Sequence, residues 1–136
     1  VKYKVEWGGS PQDVTVSTFG TGSIAEAMAI VRDLGVDDRY RSGLKILVDH
    51  SELESVDYTP SELRPMFDLI ASIEGRTERV YYAIVAPKPV LYGLTRVWEA
   101  GAGDLMNATI QLFRSKEDAL AWLGEIESGG EDLSGA

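Results

Sequence analysis

Asp49, His50 and Ser51 stand in succession, and an acid, an imidazole and a hydroxyl are the ingredients of a hydrolytic relay. Their spacing argues against one. Consecutive residues on an extended chain point to opposite sides, so the three cannot line up as orienter, base and nucleophile. No Ser lies in a nucleophile-elbow pattern. His50 is the only His and reads as a solvent-exposed loop residue. Metal binding finds no paired His or Cys, and Asp37-Asp38 or Glu52-Glu54 lack the spaced oxygens and turn Gly of a calcium loop. Gly20-Thr21-Gly22 is too short for a dinucleotide fingerprint. Neither a metal nor a cofactor is expected. An enzyme built on Asp49, His50 and Lys88 has only its residue types in its favour, and the expectation is a protein that binds rather than catalyses.

Binding chemistry is better placed. In parallel α/β sheets, ligands sit beyond the carboxyl ends of the strands. Three such ends can be named: Asp49-His50-Ser51, Ala86-Pro87-Lys88 and Phe113-Arg114-Ser115. Helix starts near Thr59 and Pro89 add free N–H groups. The expected contact residues are Asp49, His50, Asp57, Tyr58, Thr59, Lys88 and Tyr92. The competing reading is that Asp49 and Asp57 only cap turns and helices, as Asp commonly does. Tyr81, Tyr82, Tyr92 and Trp98 could line an apolar pocket beside Met66 and Phe67, under the second and third helices. They could equally be core, since each lies in a periodic apolar pattern.

These residues need a scaffold, and periodicity supplies it. Val1, Tyr3, Val5 and Trp7 alternate with Lys2, Lys4 and Glu6, which predicts a half-buried strand. After the turn cluster Gly8-Gly9-Ser10-Pro11, Val14, Val16 and Thr18 alternate again, predicting an antiparallel hairpin. Ser23-Ile24-Ala25-Glu26 is a capping box opening a helix that Gly35 can end. Leu44 to Val48 reads as a strand ended by Asp49, followed by an irregular loop from His50 to Tyr58. Thr59-Pro60-Ser61-Glu62 is a second box, with Pro65 predicting an irregular first turn or a kink. Val80 to Ala86 is a near-continuous apolar run, the mark of a strand covered on both faces. Leu91, Leu94, Val97 and Trp98 give a third helix, Ile110 and Leu112 a last strand. Ser115-Lys116-Glu117-Asp118 caps a final helix. The order ββαβαβαβα predicts one mixed sheet, an N-terminal hairpin then parallel strands, with about four helices. Residues 1–127 form the single expected domain. Ser128 to Ala136 has no periodicity and is expected to be disordered.

Composition narrows the partners. The net charge of −9, from 13 basic and 22 acidic residues, opposes phosphate backbones and anionic lipid. Nucleic acid and membrane insertion are therefore not expected. There is no Cys, which removes thiol nucleophiles, thiolate metal sites and disulfides. No apolar stretch approaches the ~20 residues of a spanning helix, and Val1-Lys2-Tyr3-Lys4 has no signal-peptide pattern. A cytoplasmic location is expected. The partner, an unknown protein or a small apolar ligand, is not named by the sequence, and a homodimer stays open.

The stretch Ile46-Leu47-Val48-Asp49 through Asp57-Tyr58-Thr59-Pro60 resembles the signature of the STAS family, named for sulfate transporters and anti-sigma-factor antagonists. Asp49 and Asp57 fall at that signature's two acidic positions, and the element order is similar over roughly Val14 to Ile126. Phe113 to Leu123 and Tyr92-Gly93 resemble an uncharacterised, SpoIIAA-like bacterial branch. The resemblance implies a SpoIIAA-like fold and a regulatory module with no catalytic apparatus, contacting partners through the Asp49–Pro60 stretch. The family's phosphorylated Ser follows the second Asp directly. Tyr58 occupies that position here, the next hydroxyl is Thr59, and Pro60 stands for the family Gly. Phosphorylation is thus expected to be absent or shifted to Thr59.

Overall fold

The computed structural model describes residues 3–65, 68, 80–89, 91–93, 96, 100 and 108–126. Five strands form one mixed sheet in the order β1-β2-β3-β4-β5, so spatial order follows chain order. β1 (Tyr3–Trp7) and β2 (Val14–Gly22) make the antiparallel hairpin that their alternation predicts. β3 (Lys45–Val56), β4 (Val80–Val85) and β5 (Ala108–Phe113) add in parallel. β4 lies between β3 and β5, the interior place its apolar run requires.

α1 (Ile24–Val36) starts on its predicted box. The Ser23 hydroxyl accepts the Glu26 N–H at 3.1 Å, and the Glu26 carboxylate accepts the Ser23 N–H at 3.2 Å. The helix runs through Gly35 to Val36 and is capped by Asp37 instead of stopping at the glycine. α2 (Lys116–Glu125) starts where Ser115 accepts the Asp118 N–H at 3.1 Å. Between them Pro60–Leu63 wind as a 3-10 turn, and Arg64, Pro65 and Asp68 continue helically. That tight turn is the irregular start expected near Pro65, which has no N–H to give. Pro89, Leu91–Gly93, Arg96 and Ala100 are also helical. The described residues thus hold three bounded helices, one fewer than expected. Met66, Phe67, Trp98 and the tail from residue 127 lie outside the described residues.

The sheet is covered on both faces. On one, Val14, Val16, Ile46, Tyr82, Ile84 and Ile110 pack with Leu34 of α1. On the other, Leu47, Ala83 and Val85 pack with Ala119 and Leu123 of α2, while Trp122 rests edge-on against Tyr81. Each fully buried aliphatic side chain contributes about 1.5–3 kcal/mol. Tyr81 and Tyr82 therefore face opposite sides of the sheet and do not line one pocket.

β3 departs most from expectation. The strand does not end at Asp49 but runs on to Val56, so the expected His50–Tyr58 loop is largely strand. β2 is correspondingly long, and Phe19, Gly20, Thr21 and Gly22 pair with Glu52, Leu53, Ser55 and Val56. β4 stops pairing at Asp49, so the two longer strands project past it as a ribbon. Bulges between Ser17 and Phe19 and between Gly20 and Thr21 let the ribbon bend out of the sheet. A third cluster of Leu53, Ala86 and Leu91, with Val56 and Tyr92 against it, holds the ribbon to the body.

Candidate functional site

The lengthened β3 separates residues expected to lie together. Asp49 and His50 sit at the ribbon's base, in mid-strand. Asp57, Tyr58 and Thr59 sit past its tip, at the strand's true carboxyl end. Eight residues of strand allow Asp49 and Asp57 to lie up to roughly 25 Å apart.

At the base, one carboxylate oxygen of Asp49 accepts the Ser51 N–H at 2.9 Å, and the other lies 3.9 Å from Lys116 Nζ. The His50 ring turns to the other side of the strand, where Nδ1 is 2.8 Å from Thr18 Oγ1. The same hydroxyl lies 3.3 Å from the Asp49 carbonyl. His50 is half-buried rather than exposed as expected. Burial pushes its pKa down to about 4, with the nearby Asp49 carboxylate opposing the shift. The Asp49 carboxylate and the His50 ring thus engage different neighbours, and no bond joins the two side chains.

At the tip, the Asp57 N–H donates to the Gly22 carbonyl at 2.9 Å and closes the ribbon, leaving the carboxylate exposed. Tyr58 is half-buried against the core cluster under α1. Burial raises its phenol pKa, and the adjacent Asp57 adds to the shift. Thr59 is exposed, with its hydroxyl 3.0 Å from that of Ser61 and 3.3 Å from a Glu62 carboxylate oxygen. A phosphate on Thr59 would therefore meet the negative charge of Glu62 at once. The Glu62 carboxylate also accepts the Thr59 N–H at 2.7 Å.

Lys88 and Tyr92 brace the ribbon from the side. Lys88 Nζ donates to the Leu53 carbonyl at 2.9 Å, and Tyr92 carries the Arg114 guanidinium 4.5 Å above its ring. Segments following β4 and β5 thus reach the ribbon's flank, Lys88 directly and Arg114 through Tyr92. The exposed residues of the ribbon are Phe19 and Thr21 on β2, then Ser51, Glu52, Glu54 and Ser55 on β3. Sequence reasoning reads Thr18 only as a strand residue and Arg114 only as part of a strand end, and does not single out Phe19. The alternation of Glu52, Leu53 and Glu54 was the available strand signal for this segment.

No family model matches the chain, and no curated protein matches it. Among solved structures, the chain is similar to an uncharacterized protein of the DUF3478 family from Shewanella loihica PV-4, described as having a SpoIIAA-like fold. The TM-score is 0.57, with 19% sequence identity over 90% of this chain and 94% of that one. The fold is SpoIIAA-like. This is the architecture implied by the resemblance of the Asp49–Pro60 stretch to the STAS signature, and at this identity the likeness carries the fold alone. No helix among the described residues is long and apolar enough to cross a membrane.

Proposed function

We propose that this chain is a noncatalytic, regulatory binding module that works in the cytoplasm through protein–protein contacts along Asp49–Pro60. The ribbon carries this reading. It presents Ser51, Glu52, Glu54, Ser55 and Asp57 to solvent while Leu53 anchors it in a buried cluster. Polar groups held on a rigid support bind at low ordering cost. The acidic surface fits a protein partner and opposes nucleic acid. The alternative, a carrier of an apolar or lipid-like ligand, needs a pocket built with Met66, Phe67 and Trp98, which lie outside the described residues.

A photocrosslinking amino acid at Glu54, compared with one at Gln111 on β5, tests the reading in the protein's own cells. A discrete adduct at position 54 and none at 111 is expected. E52K/E54K should reduce crosslinking from position 55 without lowering the melting temperature. Equal labelling at 54 and 111 would overturn the assignment.

A further inference from the structure

β1 is an edge strand. It pairs with β2 on one side, and among the described residues no backbone hydrogen bond joins its other side to any element. An open edge is a template for another strand unless something blunts it. β1 carries Lys4 and Glu6 on one face, 3.6 Å from each other and with 60% and 59% of their side chains exposed, so both remain open to further charges. Tyr3, Val5 and Trp7 occupy the other face and are half-buried. Tyr3 OH donates to an Asp33 carboxylate oxygen at 2.6 Å, and Trp7 lies 4.4 Å beneath the Arg39 guanidinium. The strand is thereby held against the end of α1, with its outer edge unpaired among the described residues.

We propose that this edge pairs with the same edge of a second copy, antiparallel about a two-fold axis through Val5. The strand is self-complementary in that register. Lys4 stands opposite Glu6 of the second copy, Glu6 opposite its Lys4, and Tyr3 opposite its Trp7. Directly opposed residues in an antiparallel pair share a face, so registers can slip only by an even number of residues. Moving the axis to Lys4 sets Lys4 against Lys4. Moving it to Glu6 sets Glu6 against Glu6. Like charges directly opposite are unfavourable, and of the three registers only the Val5-centred one opposes no like charges.

A second copy is the partner this pattern fits, because each charge finds its complement in its own sequence and a two-fold contact closes on itself. The net charge of −9 opposes self-association, but screening confines that repulsion to about 8 Å at physiological ionic strength, whereas the strand pairs lie in contact. Val36, 60% exposed, lines a shallow depression with Asp33 and Arg39, the α1-end residues that hold Tyr3 and Trp7. It adds apolar surface on the flank of the edge. Five residues of strand make a small contact, so the dimer should be weak, dissociating at about 1 μM to 1 mM.

Sedimentation equilibrium up to about 1 mM protein tests the proposal on wild type, K4E, E6K and the double swap K4E/E6K. Both single reversals should weaken the dimer by about tenfold or more. They change net charge in opposite directions, so a general charge effect cannot weaken both. The double swap restores the opposed charges at unchanged net charge and should return the dissociation constant to within about threefold of wild type. Circular dichroism confirms that each variant is folded. If any is not, wild-type hydrogen exchange decides: outward-pointing amides of Tyr3–Trp7 should slow as concentration rises, while those of β5 do not. A wild-type protein monomeric at 1 mM, a single reversal without effect, a double swap that fails to recover, or β1 exchange independent of concentration would each overturn the proposal.

Discussion

The imidazole of His50 sits at the β2–β3 bulge, 2.8 Å from the Thr18 hydroxyl, and its pKa falls to about 4 from the ordinary 6.5. Burial drives the shift, so the unfolded chain binds more protons than the folded one between those values. Stability therefore rises with pH through that window. The contribution is complete above about pH 6.5 and is lost as pH falls toward 4. Between about pH 7.5 and pH 5 it amounts to about 2 kcal/mol. Urea unfolding at the two pH values should show wild type losing about that much more stability than H50Q, whose amide does not titrate. Equal losses would mean that His50 is solvated in the folded state. The residue types at this site were legible, and so was the impossibility of a relay in Asp49-His50-Ser51. The burial of His50 was not, because it depends on Thr18, which is distant in sequence.

Elements are legible where one periodicity rules and obscure where two signals overlap. Val80–Val85 is apolar throughout and became the interior strand. The hairpin and both capped helices followed from alternation and from Ser-x-x-Glu and Ser-x-x-Asp starts. The local sequence hides the second half of β3, because Asp49 looks like a strand terminator and Glu52 to Asp57 looks like polar loop. Pairing with an equally long β2 decides otherwise, and that partner is named by the fold, not by the local sequence. Lys45 is similarly hidden. It is 8% exposed, and its ammonium donates to the Ile126 carbonyl at 2.6 Å, just past α2. A cation at this end satisfies a terminal carbonyl and complements the helix dipole. K45M keeps the stem but leaves that carbonyl without its donor, and should cost about 1–3 kcal/mol. Hydrogen exchange in the last turn of α2 should accelerate more than in β4. Uniform acceleration would show that Lys45 acts on the whole sheet.

At the scale of the whole molecule, β3 joins three separately packed clusters. Ile46 serves the face under α1, Leu47 the face under α2, and Leu53 the ribbon anchor. The first two share a sheet and must open together. The third holds a two-stranded projection that β4 does not pair with. Stability should therefore be uneven, since segments with fewer buried contacts open at lower free energy than the core. I46A should lower global stability by about 2–5 kcal/mol, the usual cost of emptying a fully buried site. Amide exchange should then accelerate across β2 to β5. L53A removes a side chain that is 5% exposed, yet its effect should be local. Exchange should accelerate at residues 20–22 and 52–57, while the Val80–Val85 amides keep wild-type protection and the urea midpoint shifts less than for I46A. An L53A variant that loosened β4 as much as I46A does would show the ribbon to be part of the cooperative core.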